Sequence, residues 1–195
     1  MIPISVIPAS AAETVTYIDR TWDETNNKLV EKTETAPATA ITSSSTTLAG
    51  GWYYVDGTVT VTSRITVNGS SDNPTYIILE DGCRLTASKG ITVKSDKALF
   101  IYGQANGTGE LNAIGNGYAA GIGGGMLGKG GTVTVNGGTV TATGGSSGAG
   151  IGGGSSAAGG SVTINGGTVK ATGGRNSAGI GGGDGGAGGR VTING

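Results

Sequence analysis

The sequence predicts an all-β protein and, within that class, a right-handed parallel β-helix with 29-residue coils at its C-terminal end and an N-terminal β-hairpin cap. The main observation is a unit written three times without insertion or deletion, at 109–137, 138–166 and 167–195. A fixed period of about 20 to 50 residues is typical of stacked repeat architectures. Each unit holds three short segments rich in β-branched residues and separated by glycines, which matches one coil of a β-helix.

The register of the coils follows from the segments of the middle unit, at 139–143, 149–151 and 161–165. The first and third alternate apolar and polar residues, so one face of each strand turns inward. Parallel stacking places each residue above the one 29 positions later, and five columns then stay apolar at all three levels. They are Leu111/Val140/Val169, Ala113/Ala142/Ala171, Ile122/Ile151/Ile180, Val133/Val162/Val191 and Val135/Ile164/Ile193.

One outward column stays polar while the others change from unit to unit. It consists of Asn136, Asn165 and Asn194, each followed by glycine. Stacked amides can share hydrogen bonds between coils, and an Asn-Gly pair suits a corner that needs a positive φ. We therefore predict a structural asparagine ladder, the alternative being a polar row that binds a ligand.

The segment 48–108 continues the pattern less regularly and predicts two or three irregular coils. Short apolar runs alternate with turn residues every 8–12 positions, which is typical of all-β architecture. The candidate strands lie at 58–61, 65–67, 76–79, 84–87, 91–93 and 99–102. Terminal coils of solenoids often depart from the repeat because they close an exposed edge.

The segment 13–47 predicts a hairpin and a connector. Candidate strands at 14–22 and 28–34 flank the turn sequence Asp-Glu-Thr-Asn-Asn, and 33–47 is rich in Thr, Ser, Ala and Pro. We expect the hairpin to lie across the open end of the solenoid as a cap.

The two ends of the chain suggest export and a longer protein. Residues 1–12 include Ala9-Ser10-Ala11, the small-x-small pattern of a secretory cleavage site, and are interpreted as the remnant of a signal peptide. An ordinary terminus is the alternative. The last residue closes a repeat unit, which predicts further repeats or domains of the same longer chain.

Composition and charge exclude several classes of partner. The 12 basic and 13 acidic residues form no basic face, so nucleic acid is not expected, and no run approaches the ~20 apolar residues that span a membrane. The GIGGG sequence of each unit precedes no amphipathic helix, unlike a phosphate-binding loop. Asp184 aligns with Met126 and Ser155, so a recurring calcium ligand, and metal sites in general, are not expected.

Catalysis and ice binding are both less favoured than binding or scaffolding. The chain has no histidine, and its repeat region holds only two distant carboxylates, Glu110 and Asp184. The other outward candidates lie upstream: Asp56, Asp72, Glu80, Asp81 and Asp96. We predict no enzyme activity and no cofactor, with a polysaccharide lyase or hydrolase as a minor alternative. Rows of threonine suggest ice binding, but Lys170 and Arg190 interrupt them.

Several motifs carry a resemblance to a protein family. The runs GWYYVDG at 51–57 and LEDGCRLTASKGI at 79–91, followed by the AGIGGG repeats and by GGTVTVNGGTVTATGG at 130–145, resemble glycine-rich surface proteins of gut Firmicutes. Proteins of this kind are commonly labelled adhesins or carbohydrate-binding-domain proteins. The resemblance implies a β-helix and a secreted or cell-wall-associated location. The 195 residues depart from the pattern in showing no wall-anchor motif, which we expect if they are part of a longer chain.

The residues Trp52, Tyr53 and Tyr54 form the only dense aromatic cluster and are the candidate carbohydrate-binding residues. Aromatic side chains of this kind stack on sugar rings, although the same cluster could instead seal the hairpin against the first coil. We predict a non-catalytic, adhesin-like module that binds glycans or host- or cell-surface molecules. The alternative is a purely structural stalk that presents other domains.

Overall fold

The computed structural model describes residues 12–194, so the predicted signal-peptide remnant lies outside the described residues except for Ala12. Within this range the chain forms nineteen β-strands and no helix, and the predicted all-β class is confirmed. The first two strands form the hairpin, β1 (Glu13–Asp23) and β2 (Lys28–Ala40).

The remaining strands form three parallel sheets, which together make a parallel β-helix. Sheet I contains β4 (Gly51–Val55), β7 (Thr75–Leu79), β10 (Ala98–Gly103), β13 (Thr132–Val135), β16 (Ser161–Ile164) and β19 (Arg190–Ile193). Sheet II contains β5 (Thr58–Val61), β8 (Arg84–Ala87), β11 (Glu110–Ile114), β14 (Thr139–Thr143) and β17 (Thr168–Thr172). Sheet III contains β3 (Thr47–Leu48), β6 (Ile65–Val67), β9 (Ile91–Val93), β12 (Ile122–Gly123), β15 (Ile151–Gly152) and β18 (Ile180–Gly181).

Successive strands of the three sheets make up the coils. Coil 1 runs from β3 to β5, coil 2 from β6 to β8, coil 3 from β9 to β11, coil 4 from β12 to β14 and coil 5 from β15 to β17. The strands β18 and β19 belong to coil 6. All five predicted apolar columns are paired in the expected register. Their members in coils 3 and 4 are buried, as are Ile151, Val162 and Ile164 in coil 5. Val169 and Ala171 in coil 5 are half-buried, and Val191 and Ile193 at the last level are 43% and 66% exposed.

The GIGGG sequence forms a tight corner of each coil. The predicted strand at 149–151 is displaced, since β15 begins at Ile151 and ends at Gly152. Gly152 has a φ of 137°, and a Cβ there would lie 2.0 Å from the carbonyl oxygen of Gly181 in the next coil. A side chain would therefore clash with backbone, which explains why glycine recurs at this position.

The irregular region forms three coils, with strands at all six predicted places. Its coils differ in length: Thr75 pairs with Leu99, 24 positions on, and Leu99 pairs with Val133, 34 positions on, whereas the regular coils keep the spacing of 29 positions between Val133 and Val162. The strands β3 and β4, which the apolar pattern did not delimit, complete coil 1.

The predicted hairpin is present, and its turn is built as expected. Asp23 Oδ1 accepts hydrogen bonds from the amides of Thr25 and Asn26, and Asn27 has a φ of 50°. The predicted connector is shorter than expected, because β2 continues to Ala40 and pairs with β1 as far as Ala38. Ala38 is fully buried, which supports this extension of the strand.

The hairpin follows the side of the solenoid, and only its last residues act as the predicted cap. Thr39 and Ala40 pair with β4 at the open edge of sheet I, and the buried Ile41 covers the end of the core. The rest of the hairpin extends along the coils: Glu13 bonds to coil 1, whereas Arg20 bonds to the corner that follows β13 in coil 4. The hairpin therefore links coils that otherwise contact only their neighbours.

A partly buried cation, Arg64, connects three coil corners. Arg64 donates to Thr92 Oγ1 at 2.6 Å, to the Lys89 carbonyl at 2.6 Å and to the Ala120 carbonyl at 3.0 Å. Burial lowers the pKa of Arg64 to about 10. Because its N–H groups are directed at backbone carbonyls, this guanidinium stabilises the corners and leaves little capacity to bind an anion.

The core columns give the first prediction. Replacing the fully buried Ile122 by alanine leaves a cavity in the stack, so we expect a loss of about 2–5 kcal/mol in the free energy of unfolding. The matched control is Ile114→Ala in the neighbouring strand β11, where the side chain is 40% exposed and a loss of about 1 kcal/mol or less is expected. Chemical denaturation of both variants measures the difference, and equal losses would contradict the described register.

Candidate functional site

An aromatic column lies on the outer face of sheet I. Trp52, Tyr76 and Phe100 occupy equivalent positions of β4, β7 and β10. The Trp52 and Tyr76 rings are stacked with centroids 4.2 Å apart, and the Tyr76 and Phe100 centroids are 5.3 Å apart. From the hairpin, the Tyr17 ring lies 4.6 Å from Trp52. The rings contact one another, so this column fastens the hairpin to the solenoid.

The three predicted sugar-binding residues have three different environments. Trp52 belongs to the aromatic column. Tyr53 faces inward and packs against the main core, and its hydroxyl oxygen accepts a hydrogen bond from the Ala49 amide at 3.0 Å. Tyr54 faces outward and donates to Glu13 Oε2 at 2.7 Å. Because side chains alternate along a strand, these neighbours do not form one continuous platform.

The asparagine column forms a ladder of side-chain hydrogen bonds. Asn165 Nδ2 donates to Asn136 Oδ1 at 2.8 Å, and Asn194 Nδ2 donates to Asn165 Oδ1 at 2.7 Å. The positive φ that we expected at the Asn-Gly corner occurs one residue later, at Gly138 (76°) and Gly167 (83°). The second glycine of each NGG sequence is therefore the one that turns the corner.

The ladder is also the anchor point of the hairpin. Arg20 donates through Nη1 to the Asn136 carbonyl at 2.5 Å, and Asn165 Nδ2 donates to the Arg20 carbonyl at 3.1 Å. A Cβ at Gly166 would lie 2.6 Å from Arg20 Cδ, so glycine provides the space for this side chain. The three side-chain amides are thus hydrogen-bonded to one another, and Asn165 also bonds to the hairpin, which fits a structural ladder.

A cleft of about 390 Å³ lies at the N-terminal end of the solenoid, between the segment after β2 and the edge strand β5. Tyr54 is the only aromatic residue among those that line it, and Asp56 is the only charged one. The other lining residues are mostly hydroxyl-bearing and comprise Ala40, Ile41, Thr42, Ser43, Thr58, Val59 and Thr60. One of the three predicted residues therefore belongs to a concave polar site.

Two further carboxylates stand close to this cleft. Val55 pairs with Leu79, so Asp56 and Glu80 follow each other in register on adjacent coils, and Glu13 is bonded to Tyr54. Burial raises the pKa of Glu80, and the negative charges of Asp56 and Glu13 raise it further. The hydrogen bond to Glu13 raises the pKa of Tyr54 to about 12.

The sequence analysis found Tyr54, Asp56 and Glu80 separately but did not bring them together. It missed the hydroxyl residues of the cleft, namely Thr42, Ser43, Thr58 and Thr60. No local pattern marks Thr42 and Ser43, because they reach the site through the path of the chain after β2. A signal that could have been used is the adjacency of Asp56 and Glu80, which both directly follow a strand of sheet I.

A second exposed surface lies on both sides of β12, in the repeat unit at 109–137. Tyr118, Met126 and Leu127 are 53%, 64% and 68% exposed. Met126 and Lys129 help to line a shallow groove of about 300 Å³ beside the turn that follows β9. The aligned residues of the next unit are Ser147, Ser155 and Ser156, so these apolar side chains break the repeat. Nothing in the described structure covers them.

Other potentially reactive groups have structural positions. Cys83 is buried, and burial raises the pKa of its thiol to about 11, so the thiol stays protonated at neutral pH. Across residues 12–194, His, Cys, Asp and Glu form no group of three or more that could hold a metal ion. The same part of the chain has no helix of the length and apolarity needed to cross a membrane.

Comparison with known proteins supports the architecture. The model of a family described as beta helix repeat matches residues 133–155 and 162–184. The two matches begin at Val133 and Val162, which are paired in β13 and β16. Together they cover about a quarter of the chain. No curated protein and no solved structure gives a match. The matched segments are β-helix repeats, in agreement with the parallel β-helix that the strands form.

The asparagine ladder gives the second prediction. Asn165→Asp has nearly the same shape, but it sets a carboxylate against Asn136 Oδ1 and the Arg20 carbonyl, where an amide now donates. We expect a loss of about 3 kcal/mol in the free energy of unfolding at pH 7, recovered in part at pH 3. Asn112→Asp, on the outer face of β11, is the matched control and should cost far less. Thermal unfolding monitored by circular dichroism measures both, and equal losses would contradict this role for the ladder.

The raised pKa of Glu80 gives the third prediction. A carboxyl group whose folded pKa exceeds its ordinary value of 4.5 stabilises the fold fully below that pH, and this contribution is lost as the pH rises through the folded pKa. Glu80→Gln should therefore raise Tm at pH 7 by about 1–3 °C relative to the unmodified chain, and the gain should vanish near pH 4. The control Glu24→Gln, in the exposed hairpin turn, should leave Tm unchanged at both pH values. A gain of equal size at pH 4 would contradict the assignment.

Proposed function

We propose that this chain is a non-catalytic, extracellular β-helix module that binds glycans in the cleft beside Tyr54, as an adhesin-like part of a longer secreted or cell-wall-associated protein. The observation that carries the proposal is the composition of the cleft, which combines one aromatic side chain, one carboxylate and several hydroxyls. The resemblance to glycine-rich surface proteins supports the location.

The chemistry of the cleft is suited to sugars. A sugar ring has apolar C–H faces and hydroxyl edges, so it is recognised by an aromatic side chain together with a few oriented polar groups. Asp56 can accept two or more hydrogen bonds from sugar hydroxyls, and Thr42, Ser43, Thr58 and Thr60 can both donate and accept. Bonds to the ionised carboxylate are the stronger ones.

The backbone adds further polar groups to the cleft. Among the described residues, β5 pairs only with β8, so one edge of β5 keeps unpaired N–H and C=O groups. That edge carries Thr58, Val59 and Thr60, which line the cleft. These groups stand on a strand fixed by the coil beneath it, and sites built on rigid elements hold their geometry well.

The alternative function is a structural stalk that presents other domains of the same chain. Two observations favour it: the aromatic column is engaged in packing the hairpin, and the outward residues of the regular coils change from level to level. A stalk needs no binding site, so the two proposals differ in one measurable property, which is retention on a glycan.

The fourth prediction tests this difference. The chain is incubated with a panel of insoluble polysaccharides and with mucin, and the bound fraction is measured after pelleting. We expect selective retention that Tyr54→Ala weakens by about tenfold, since an aromatic residue at the centre of a site contributes at least about 1.4 kcal/mol.

The control variant is Tyr118→Ala, which makes the same substitution at an exposed tyrosine outside the cleft and should bind like the unmodified chain. A melting curve for each variant separates loss of the site from loss of the fold. The absence of retention on every polymer would contradict the proposal and favour the stalk.

A further inference from the structure

The cleft beside Tyr54 carries an unbalanced negative charge. Asp56 lines it, Glu80 follows in register on the next coil, and Glu13 bonds to the Tyr54 hydroxyl. None of these three carboxylates takes part in an ion pair within residues 12–194. No lysine or arginine lines the cleft.

The nearest cation in register is already paired elsewhere. Arg84 lies beside Thr58 in sheet II, but its Nη2 contacts Glu110 Oε2 on the following coil at 2.7 Å. On the hairpin, Arg20 is paired with Glu31 and Lys32 with Glu34. Arg84 is therefore engaged by Glu110 and does not balance the negative charge of the cleft.

An arrangement of this kind is unfavourable for the fold alone. Like charges that face each other on adjacent strands destabilise a sheet. The raised pKa of Glu80 has burial as its first cause and the charges of Asp56 and Glu13 as the next ones. A further negative charge brought into the cleft would meet the same repulsion, because charges within about 10 Å still interact at 0.1 M salt.

We infer that the cleft selects glycans without anionic groups, and that Asp56 and Glu80 exclude sugars that carry carboxylate or sulfate. This inference rests on the proposed function, since it names the ligand class of the same site. An uncharged sugar donates hydroxyl hydrogens to the carboxylates, whereas a uronic or sulfated sugar adds an anion with no cation to receive it.

The experiment compares each retaining polysaccharide with a charged form of itself. Every polymer of the panel that retains the full chain is oxidised at its C6 hydroxymethyl groups to carboxylates, so the backbone is the same and only the charge differs. The unmodified chain should bind the neutral form about tenfold more tightly at 50 mM salt, and the preference should shrink at 500 mM salt as the repulsion is screened.

The double variant Asp56→Asn/Glu80→Gln assigns the selectivity to these residues. It should bring the ratio of the two affinities toward unity, whereas Asp72→Asn/Asp184→Asn removes the same charge outside the cleft and should leave the ratio unchanged. Melting curves establish that all variants are folded.

The outcomes distinguish a failure of the inferred charge selectivity from a failure of the proposed glycan binding. If the unmodified chain binds the oxidised or naturally acidic polymers as well as the neutral ones, and Tyr54→Ala abolishes that binding, the inference is wrong and the proposed function stands. An unchanged ratio in the Asp56/Glu80 variant would also overturn the inference. Absence of retention on every polymer would overturn the proposed function, and the inference with it.

Discussion

The backbone hydrogen bonds between successive coils are the constraint on which the rest of the structure depends. Coils 1 to 5 pair in parallel in all three sheets, and coil 6 pairs with coil 5 in sheets I and III, so equivalent side chains lie directly above one another. A residue type that suits one level must then suit its neighbours, because an apolar column excludes water and a polar column must satisfy its own hydrogen bonds. The isoleucine column at 122, 151 and 180 and the asparagine ladder are two solutions to the same condition.

The hairpin strengthens the contacts between coils, which are otherwise limited to nearest neighbours. Stacked coils contact only their neighbours, so a solenoid can open locally at any interface. The hairpin crosses several interfaces at once, through Tyr17 against Tyr102 and Trp52 and through Arg20 against the coil 4 corner. Its aromatic contacts are local in space but distant in sequence, which is why the cluster at 52–54 could be interpreted from the sequence as a binding platform.

The parts of the fold that could be predicted from the sequence are those that the stacking condition repeats. The 29-residue period and the alternation along 139–143 are sufficient to give the register of coils 3 to 6. The course of the hairpin could not be predicted, because the contacts of Arg20 and Gln104 depend on the path of one strand across several coils. For the cleft, Tyr54, Asp56 and Glu80 were visible one by one, whereas Thr42 and Ser43 became neighbours only once the chain after β2 was placed.

The cleft lies where the stacking condition is relaxed. Coil 1 has no coil on its outer side among the described residues, so the outward residues of β5 and of the segment 40–43 need not match a further level. Asp56 and Glu80 even oppose the stacking, because they place like charges at equivalent positions of adjacent coils. Two stacked like charges would destabilise the pairing of coils. Glu110 in coil 3, by contrast, faces Arg84 in coil 2 and forms an ion pair with it. The fold could avoid this electrostatic cost by a single substitution, and the cost occurs beside the polar cleft. This is the physical reason to assign function to this end of the molecule.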